Sequence, residues 1–160
     1  MSAWLRRWRH SRGFGVHSPS AFRLIREVLR PSRRYAFYAY AEIAEMSSDK
    51  EEYAELSLIF RLLVDFQPSK VAVKGCSQNV GEVAKLALPS AHINNEYTFD
   101  SDFVICSKTD GEEIPYQPEA LLILGETKPT REYGHVFTSP RRTLIVNRHD
   151  LPFEVFDLNF

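Results

Sequence analysis

The chain has few of the features that define several protein classes. It contains two cysteines in 160 residues, with no Cys-x-x-Cys pair and no cluster of His and Cys. We therefore expect neither a disulfide scaffold nor a structural metal site, and a reducing, cytoplasmic environment is favoured. No apolar run approaches the roughly 18 residues that a membrane span needs. The first residues mix Trp with Arg and lack the apolar core of a secretion signal, so no such signal is expected.

The net charge is small, but its distribution is uneven. Residues 1–34 contain nine Arg, no Lys and one acid, for a net charge of +8. The other residues contain eleven basic and twenty acidic side chains, for a net charge of −9. Such asymmetry suits contact with nucleic acid, an anionic membrane surface or an acidic partner. We favour a simpler interpretation, in which the basic arm packs against the chain's own acidic body.

Apolar periodicity predicts helices first and then alternating strands and helices. Residues 1–15 are predicted to form a flexible or loosely docked arm, and Ser18 with Pro19 to begin a helix that Pro31 ends. Further helices are predicted at 35–46, from about 49 to 66, at 80–88 and at 130–137. Strands are predicted at 70–73, 92–94, 103–106, 121–124, 143–146 and 153–160, the last two joined by a hairpin-like connection at Leu151-Pro152.

This order predicts an α/β fold with a mostly parallel sheet and an antiparallel C-terminal strand pair. We divide the chain into a basic arm and N-terminal helical region, residues 1–66, and a core, residues 67–160. Together they are expected to form one compact domain.

The most informative segment is Val71–Ala84, which reads as a buried strand, a tight loop and a helix. Gly75 and Gly81 stand at the two ends of the loop. This arrangement is typical of the start of a Rossmann-type nucleotide pocket. It is not a phosphate-binding Walker loop, because Lys74 precedes the glycines and no Gly-Lys-Ser/Thr follows.

Three segments together resemble a known family. Residues 15–22 are similar to a Gly-x-His-Ser-Pro-Phe-x-Phe signature, residues 58–68 to the helix that leads into the cofactor loop, and residues 139–146 with 153–160 to a closing strand pair. In this order they resemble class I S-adenosylmethionine-dependent methyltransferases, in a bacterial branch of small-molecule O-methyltransferases. The resemblance implies a Rossmann-like sheet, reduced in strand number because the middle of this chain is short. It also implies S-adenosylmethionine as the cofactor.

The resemblance implies a set of site residues. The acid retained near a matching position is Glu126, a candidate to assist the methyl acceptor. Glu96 is the candidate for the ribose hydroxyls, and the cofactor-binding residues as a group would be Gly75, Cys76, Ser77, Gly81 and Glu96.

The chain departs from this family at several of the same positions. The family has an acid where this chain has Lys74 and a middle glycine where it has Ser77. A second acid is replaced at the end of the strand that closes with Cys106. S-adenosylmethionine carries positive charge, so a cation about 5 Å away would cost roughly 3 kcal/mol at an effective dielectric of about 20.

We therefore expect a degenerate, catalytically inactive relative that binds a ligand or a partner. The alternatives are an active methyltransferase on a small molecule and an Arg-mediated nucleic-acid binder. Lys74 beside the following helix would alternatively favour an anion such as phosphate. Partners left open are a small molecule, a protein and a second copy that covers an open sheet edge.

The two cysteines are expected to lie on the same rim of the sheet. Cys76 follows the first predicted strand, and Cys106 ends the strand that should lie beside it. They would form a redox pair or bind a soft metal, or else act as small apolar residues, which is the commoner role.

Overall fold

A computed structural model describes residues 2–13, 15–31, 38–96, 100–107, 118–125, 134–147 and 153–160. The helices in these ranges are α1 (Ala3–His10), α2 (Pro19–Arg23), α3 (Tyr40–Met46), α4 (Lys50–Phe66) and α5 (Gln78–Ala87), and α2 continues directly into a π-helix, Leu24–Leu29. The strands are β1 (Lys70–Lys74), β2 (His92–Asn94), β3 (Phe103–Ser107), β4 (Ala120–Leu124), β5 (His135–Thr138), β6 (Arg142–Val146) and β7 (Glu154–Asp157).

Within the described ranges, the seven strands form one mixed sheet in the order β2-β1-β3-β4-β6-β5-β7. The pairs β1–β2, β1–β3, β3–β4 and β5–β7 are parallel. Strand β6 is antiparallel to both of its neighbours, β4 and β5. The predicted α/β class and the mostly parallel sheet are therefore confirmed.

Two predictions for the C-terminal part are wrong. His135–Phe137 belongs to β5 and not to a helix, and β7 pairs with β5, so β6 and β7 do not form a hairpin. The antiparallel hairpin is instead β5–β6, closed by a turn in which Ser139 N donates to Arg142 O at 2.8 Å. The Ser139 hydroxyl also accepts from Arg142 N at 3.0 Å. Residues 126–133 and the Leu151-Pro152 connection lie outside the described ranges.

Arg6 and Arg7 contact Asp157, so the docked alternative for the predicted arm is confirmed and the flexible one is wrong. Ala3–His10 of this arm forms a helix, α1. Ser2 is its N-cap and accepts a hydrogen bond from Leu5 N at 3.4 Å. The last turn carries Arg7, Arg9 and His10, and cations there favour the helix dipole. The sequence did not predict this helix because its apolar residues do not face the core.

The helix predicted to begin at Ser18 does so, with Ser18 as N-cap and Pro19 at the first helical position. It then widens into the π-helix, where Arg30 N donates to Ile25 O at 2.9 Å. Arg61 from α4 donates its Nε to the carbonyl of Val28 at 2.7 Å, inside this segment. The π-helix therefore lies where the Arg61 side chain donates a hydrogen bond to one of its backbone carbonyls.

The helix predicted from about residue 49 to 66 is confirmed as α4, and Asp49 is its N-cap. Asp49 Oδ1 accepts from both Glu51 N and Glu52 N at 2.8 Å. The helix ends at Phe66, and its C-cap residue Gln67 has a left-handed φ of 50°. It packs over the sheet, and the rings of Phe66 and Phe103 meet edge to face at 5.4 Å.

The buried side chains divide between the two faces of the sheet. On one face, Val71, Val73 and Phe103 join the apolar residues of α2, α4 and α5 in one large cluster. On the other, a smaller cluster contains Ala72, Val104, Cys106, Leu121 and Ile123. The described helices that follow α1 thus contribute to one face of the sheet. No helix in the described ranges is long and apolar enough to span a membrane.

Candidate functional site

The strand order reverses beside β1. The chain leaves β1 through α5 to β2 on one side, and β3 then pairs with β1 on the other side. In open α/β sheets, ligands bind outside the carboxyl ends of the strands at such a reversal. The candidate crevice is therefore at the ends of β1 and β3.

The loop after β1 brings the predicted cofactor residues to this crevice. Gly75 has a φ of 67°, a left-handed value that favours glycine. The Cys76 thiol donates to Lys74 O at 3.3 Å and so fixes the turn. Ser77 takes the N-cap position of α5, but its hydroxyl accepts no hydrogen bond from the first turn. A ligand can therefore take the place of a side-chain cap at this helix terminus.

The sequence predicts Gly81 at the end of the loop, and this is wrong. Helix α5 begins three residues earlier, at Gln78. Gly81 lies within the helix. A Cβ built on it meets no atom within 4 Å. The side of α5 at this position is open.

Strand register puts charged and sulfur-bearing residues in a row along this edge. Lys74 is the register partner of Cys106. On the other side of β1, Ala72 pairs with Asn94, the last residue of β2, and Glu96 follows two residues later. Glu96 is exposed. The predicted ribose acid thus follows the strand next to β1, and its role toward a ribose stays a prediction.

The two cysteines share this edge but not a face of the sheet. Cys106 is fully buried in the smaller cluster, and its thiol points to Leu122 O at 3.9 Å. Cys76 packs against the large cluster on the opposite face. Neither forms a disulfide. Their separation by the sheet favours apolar packing over a redox pair, and the described residues contain no group of three or more His, Cys, Asp and Glu placed to hold a metal ion.

An amide of α5 ties the crevice to the helices that precede β1. Asn79 Nδ2 donates to Met46 O at 3.0 Å and to Glu52 Oε1 at 2.8 Å. The other carboxylate oxygen of Glu52 accepts from the N–H and the hydroxyl of Ser48, each at 2.7 Å. The Ser48 N–H, followed by the Asn79 amide and the Ser48 hydroxyl, lowers the pKa of Glu52. Glu52 therefore links the end of α3, the start of α4 and the start of α5.

A buried ion pair at the same edge was missed by the sequence reasoning. Arg142, the register partner of Leu124 at the end of β4, is 6% exposed and lies 3.7 Å from Glu55 of α4. Burial lowers the pKa of Arg142, and burial raises the pKa of Glu55 against the opposing effect of Arg142. Arg141 pairs with Glu51, one helical turn earlier, at 2.7 Å. The pattern in the sequence that corresponds to these pairs is two adjacent Arg residues, Arg141 and Arg142, and two Glu residues four positions apart, Glu51 and Glu55.

Glu126, the predicted acceptor-side acid, is outside the described ranges. A pocket of about 190 Å³ lies at the opposite, amino edge of the sheet. Its wall includes His135, Val146 and Phe66, and the ion pair of Arg23 with Asp65 at 2.7 and 2.8 Å. It shares no residue with the loop after β1.

Comparison with family models, curated proteins and solved structures gives no match for this chain. The fold and the site define an α/β protein with a mixed seven-stranded sheet in its described part and a crevice at the reversal of strand order.

Proposed function

We propose that this chain is a degenerate, Rossmann-like relative of S-adenosylmethionine-dependent methyltransferases that has lost methyl transfer and binds a ligand or partner at the crevice beyond β1. The observation that carries the proposal is the position of Lys74. It ends β1 beside the reversal of strand order, where the proposed ancestry requires a carboxylate.

The surviving architecture supports the ancestral part of this proposal. Gly75 keeps a left-handed turn between β1 and α5, and the hydroxyl of Ser77 leaves the first turn of α5 uncapped. Gly81 leaves one side of that helix open. These features shape a surface for a ligand that approaches the backbone closely.

The changed chemistry supports the loss of methyl transfer. Lys74 repels the sulfonium and ammonium groups of the cofactor by roughly 3 kcal/mol at about 5 Å, which is around a hundredfold in affinity. Cys106, where the family has an acid, is fully buried in the sheet. The family has a glycine where this chain has Ser77. The Cβ of Ser77 leaves less room for a ligand to approach the loop backbone.

An active methyltransferase is the second candidate, and one observation favours it. Glu96 follows β2, the strand beside β1, two residues after Asn94, which is level with Ala72. In this case Gly75, Ser77 and Gly81 would shape the cofactor loop, and Glu126 would assist the acceptor. The Arg-mediated nucleic-acid binder has less support, because Arg6, Arg7 and Arg23 pair with acids of the same chain.

Calorimetric titration with S-adenosylmethionine and S-adenosylhomocysteine tests the proposal. We expect no binding in the micromolar range by the native chain. Lys74→Glu should restore binding by around a hundredfold or more, since it replaces repulsion with attraction. Lys85→Glu is the matched control. Lys85 is an exposed lysine on α5, and its Nζ lies 3.2 Å from Glu82 Oε1.

The outcomes separate the candidates. Micromolar binding by the native chain would overturn the proposed loss and favour the active enzyme. Failure of both the native chain and Lys74→Glu would show that the charge is not what prevents binding. Equal rescue by Lys85→Glu would indicate a general charge effect and no specific role of the residue that ends β1.

A further inference from the structure

Helix α1 packs against the body of the protein through its polar side. Arg6 and Arg7 both contact the carboxylate of Asp157 in β7, at 3.2 and 2.8 Å. His10 Nδ1 accepts a hydrogen bond from Asp157 N at 3.3 Å, and its ring meets Phe156 edge to face at 6.2 Å. These contacts fix which side of the helix faces the sheet.

The opposite side of α1 is apolar and faces solvent. Trp4 is 71% exposed, Leu5 37% and Trp8 40%. Trp4 and Trp8 are one helical turn apart, so their side chains lie on one stripe, with Leu5 beside it. An ordinary surface helix buries its apolar stripe and exposes its charges. Helix α1 does the reverse, and exposed apolar surface of this kind marks an interaction site.

The exposed stripe has basic edges. Residues 2–13 contain four Arg and no acid. The Arg12 guanidinium lies over the Trp8 ring, 4.5 Å from its centroid, which holds a cation on the apolar side of the helix. Arg9 follows Trp8 directly and is exposed. We call the surface of Trp4, Leu5, Trp8, Arg9 and Arg12 the α1 outer face.

We propose that the α1 outer face lies on an anionic lipid surface, with the two indoles and Leu5 in the headgroup region and the Arg side chains among lipid phosphates. A short helix with Trp and Leu on one side and Arg alongside has the composition of helices that lie in a membrane interface. Indole rings favour that interface, and each basic residue near an anionic bilayer adds attraction.

The shape and charge of this surface favour lipid over another occupant. Trp4, the most exposed of the large apolar side chains, projects from a convex helix, and a deformable interface accommodates such a side chain without a matching pocket. A polyanion such as nucleic acid would engage Arg9 and Arg12 but would leave Leu5 exposed. The ion pairs to Asp157 hold the apolar side outward before any contact forms.

Tryptophan fluorescence provides a direct test. Trp4 and Trp8 are the only two tryptophans in the chain, so its indole emission comes from α1 alone. With vesicles of phosphatidylcholine and phosphatidylglycerol, we expect a blue shift of the emission and cosedimentation of the protein, both reduced by added salt. Vesicles of phosphatidylcholine alone should give at least about tenfold weaker binding.

Variants assign the binding to the α1 outer face. Arg9→Gln and Arg12→Gln should each weaken cosedimentation by about fivefold. Arg30→Gln is the matched control, because Arg30 is an exposed Arg outside α1 and should bind as the native chain does. Trp4→Ala should also weaken binding. Its exposure predicts an unchanged thermal unfolding temperature, which shows that the variant folds.

Three results would overturn the proposal. These are no binding to anionic vesicles, undiminished binding by the Arg9→Gln/Arg12→Gln double variant, and a blue shift that depends on protein concentration without vesicles. The last result would identify a second copy of the chain as the occupant. The test uses no cofactor, so its outcome is independent of the proposed function.

Discussion

Lys74 and Cys106 are register partners at the carboxyl ends of two adjacent parallel strands, β1 and β3. An amine and a buried thiol thus stand side by side where the strand order reverses. Neither group supplies the negative charge that the proposed ancestry would place there. The proposed ancestry and the chemistry of this edge therefore disagree at the ends of these two strands.

The turn after β1 should depend on glycine. Gly75→Ala puts a Cβ on a residue with a φ of 67°, and we expect a loss of about 1–2 kcal/mol in the free energy of unfolding. Urea denaturation of the variant beside the native chain measures this. Gly81→Ala is the comparison, because its site is helical and open, and it should gain about 0.5–1 kcal/mol. Losses of equal size in both variants would contradict the assignment.

The two Arg–Glu pairs between α4 and the β5–β6 hairpin should differ in their contribution to stability. Glu55→Gln leaves the buried guanidinium of Arg142 without its carboxylate, and we expect a loss of about 2 kcal/mol. Glu51→Gln removes an exposed pair and should cost less than about 1 kcal/mol. Chemical denaturation of both variants gives the comparison, and equal effects would show that burial does not distinguish them.

Asp102 should make folding sensitive to acid. Its Oδ2 accepts from Ser69 Oγ at 2.7 Å, Ser69 N at 3.0 Å and Lys70 N at 3.1 Å, and these bonds, led by the Ser69 hydroxyl, lower the pKa of Asp102. A lowered folded-state pKa stabilises the protein above the ordinary value of 3.8, and the stabilisation is lost as pH falls through the folded-state pKa.

Asp102→Asn keeps an acceptor oxygen but removes the charge. The variant should be less stable than the native chain by about 0.5–1 kcal/mol at neutral pH, since solvent screens the site. The difference should vanish at pH values below the folded-state pKa. Denaturation curves across the acidic range measure it, and a difference that is constant with pH would exclude this role.

His10 should make the docking of α1 dependent on pH. Burial lowers the pKa of His10 below 6.5, with help from Arg6 and Arg9 and against Asp157 and Glu154. The unfolded chain therefore binds this proton at a higher pH than the folded chain does. The stability that the protein has with neutral His10 is complete above pH 6.5 and is lost as pH falls toward the folded-state pKa. Protonation of Nδ1 also removes the acceptor for Asp157 N.

The effect of His10 can be isolated by His10→Gln, since the chain has four other histidines. We expect the stability of the native chain to fall more steeply than that of the variant below pH 6.5. Hydrogen exchange at the Asp157 amide reports the contact directly. A protection factor at this amide, corrected for the slower intrinsic exchange in acid, that does not fall below pH 6.5 would contradict the assignment.

Local sequence signals predicted the helical framework and most strands, because caps and apolar runs act over short distances. Asp49 and Ser18 began helices as predicted, and Val71–Val73 formed a strand. The errors arose where distant parts of the chain decide the structure. His135–Thr138 became a strand because β6 and β7 flank it, and α1 formed with its polar side against β7.

The candidate site was predicted only in part for the same reason. The Gly75 turn follows from a residue type and its neighbours, so the sequence indicated it. The pairing of Arg142 with Glu55 joins a strand to a helix far earlier in the chain, and no periodicity connects them. The placement of Cys76 and Cys106 on opposite faces likewise depends on where the strand stops and the loop turns.

The contact between Arg7 and Asp157 joins residues 150 positions apart in the chain. During synthesis, Arg7 therefore leaves the ribosome 150 residues before Asp157 does. Through this interval the nascent chain carries its two indoles without the strand that receives α1. The attachment of α1 has to wait for β7, and a membrane or a chaperone has the opportunity to bind this segment first.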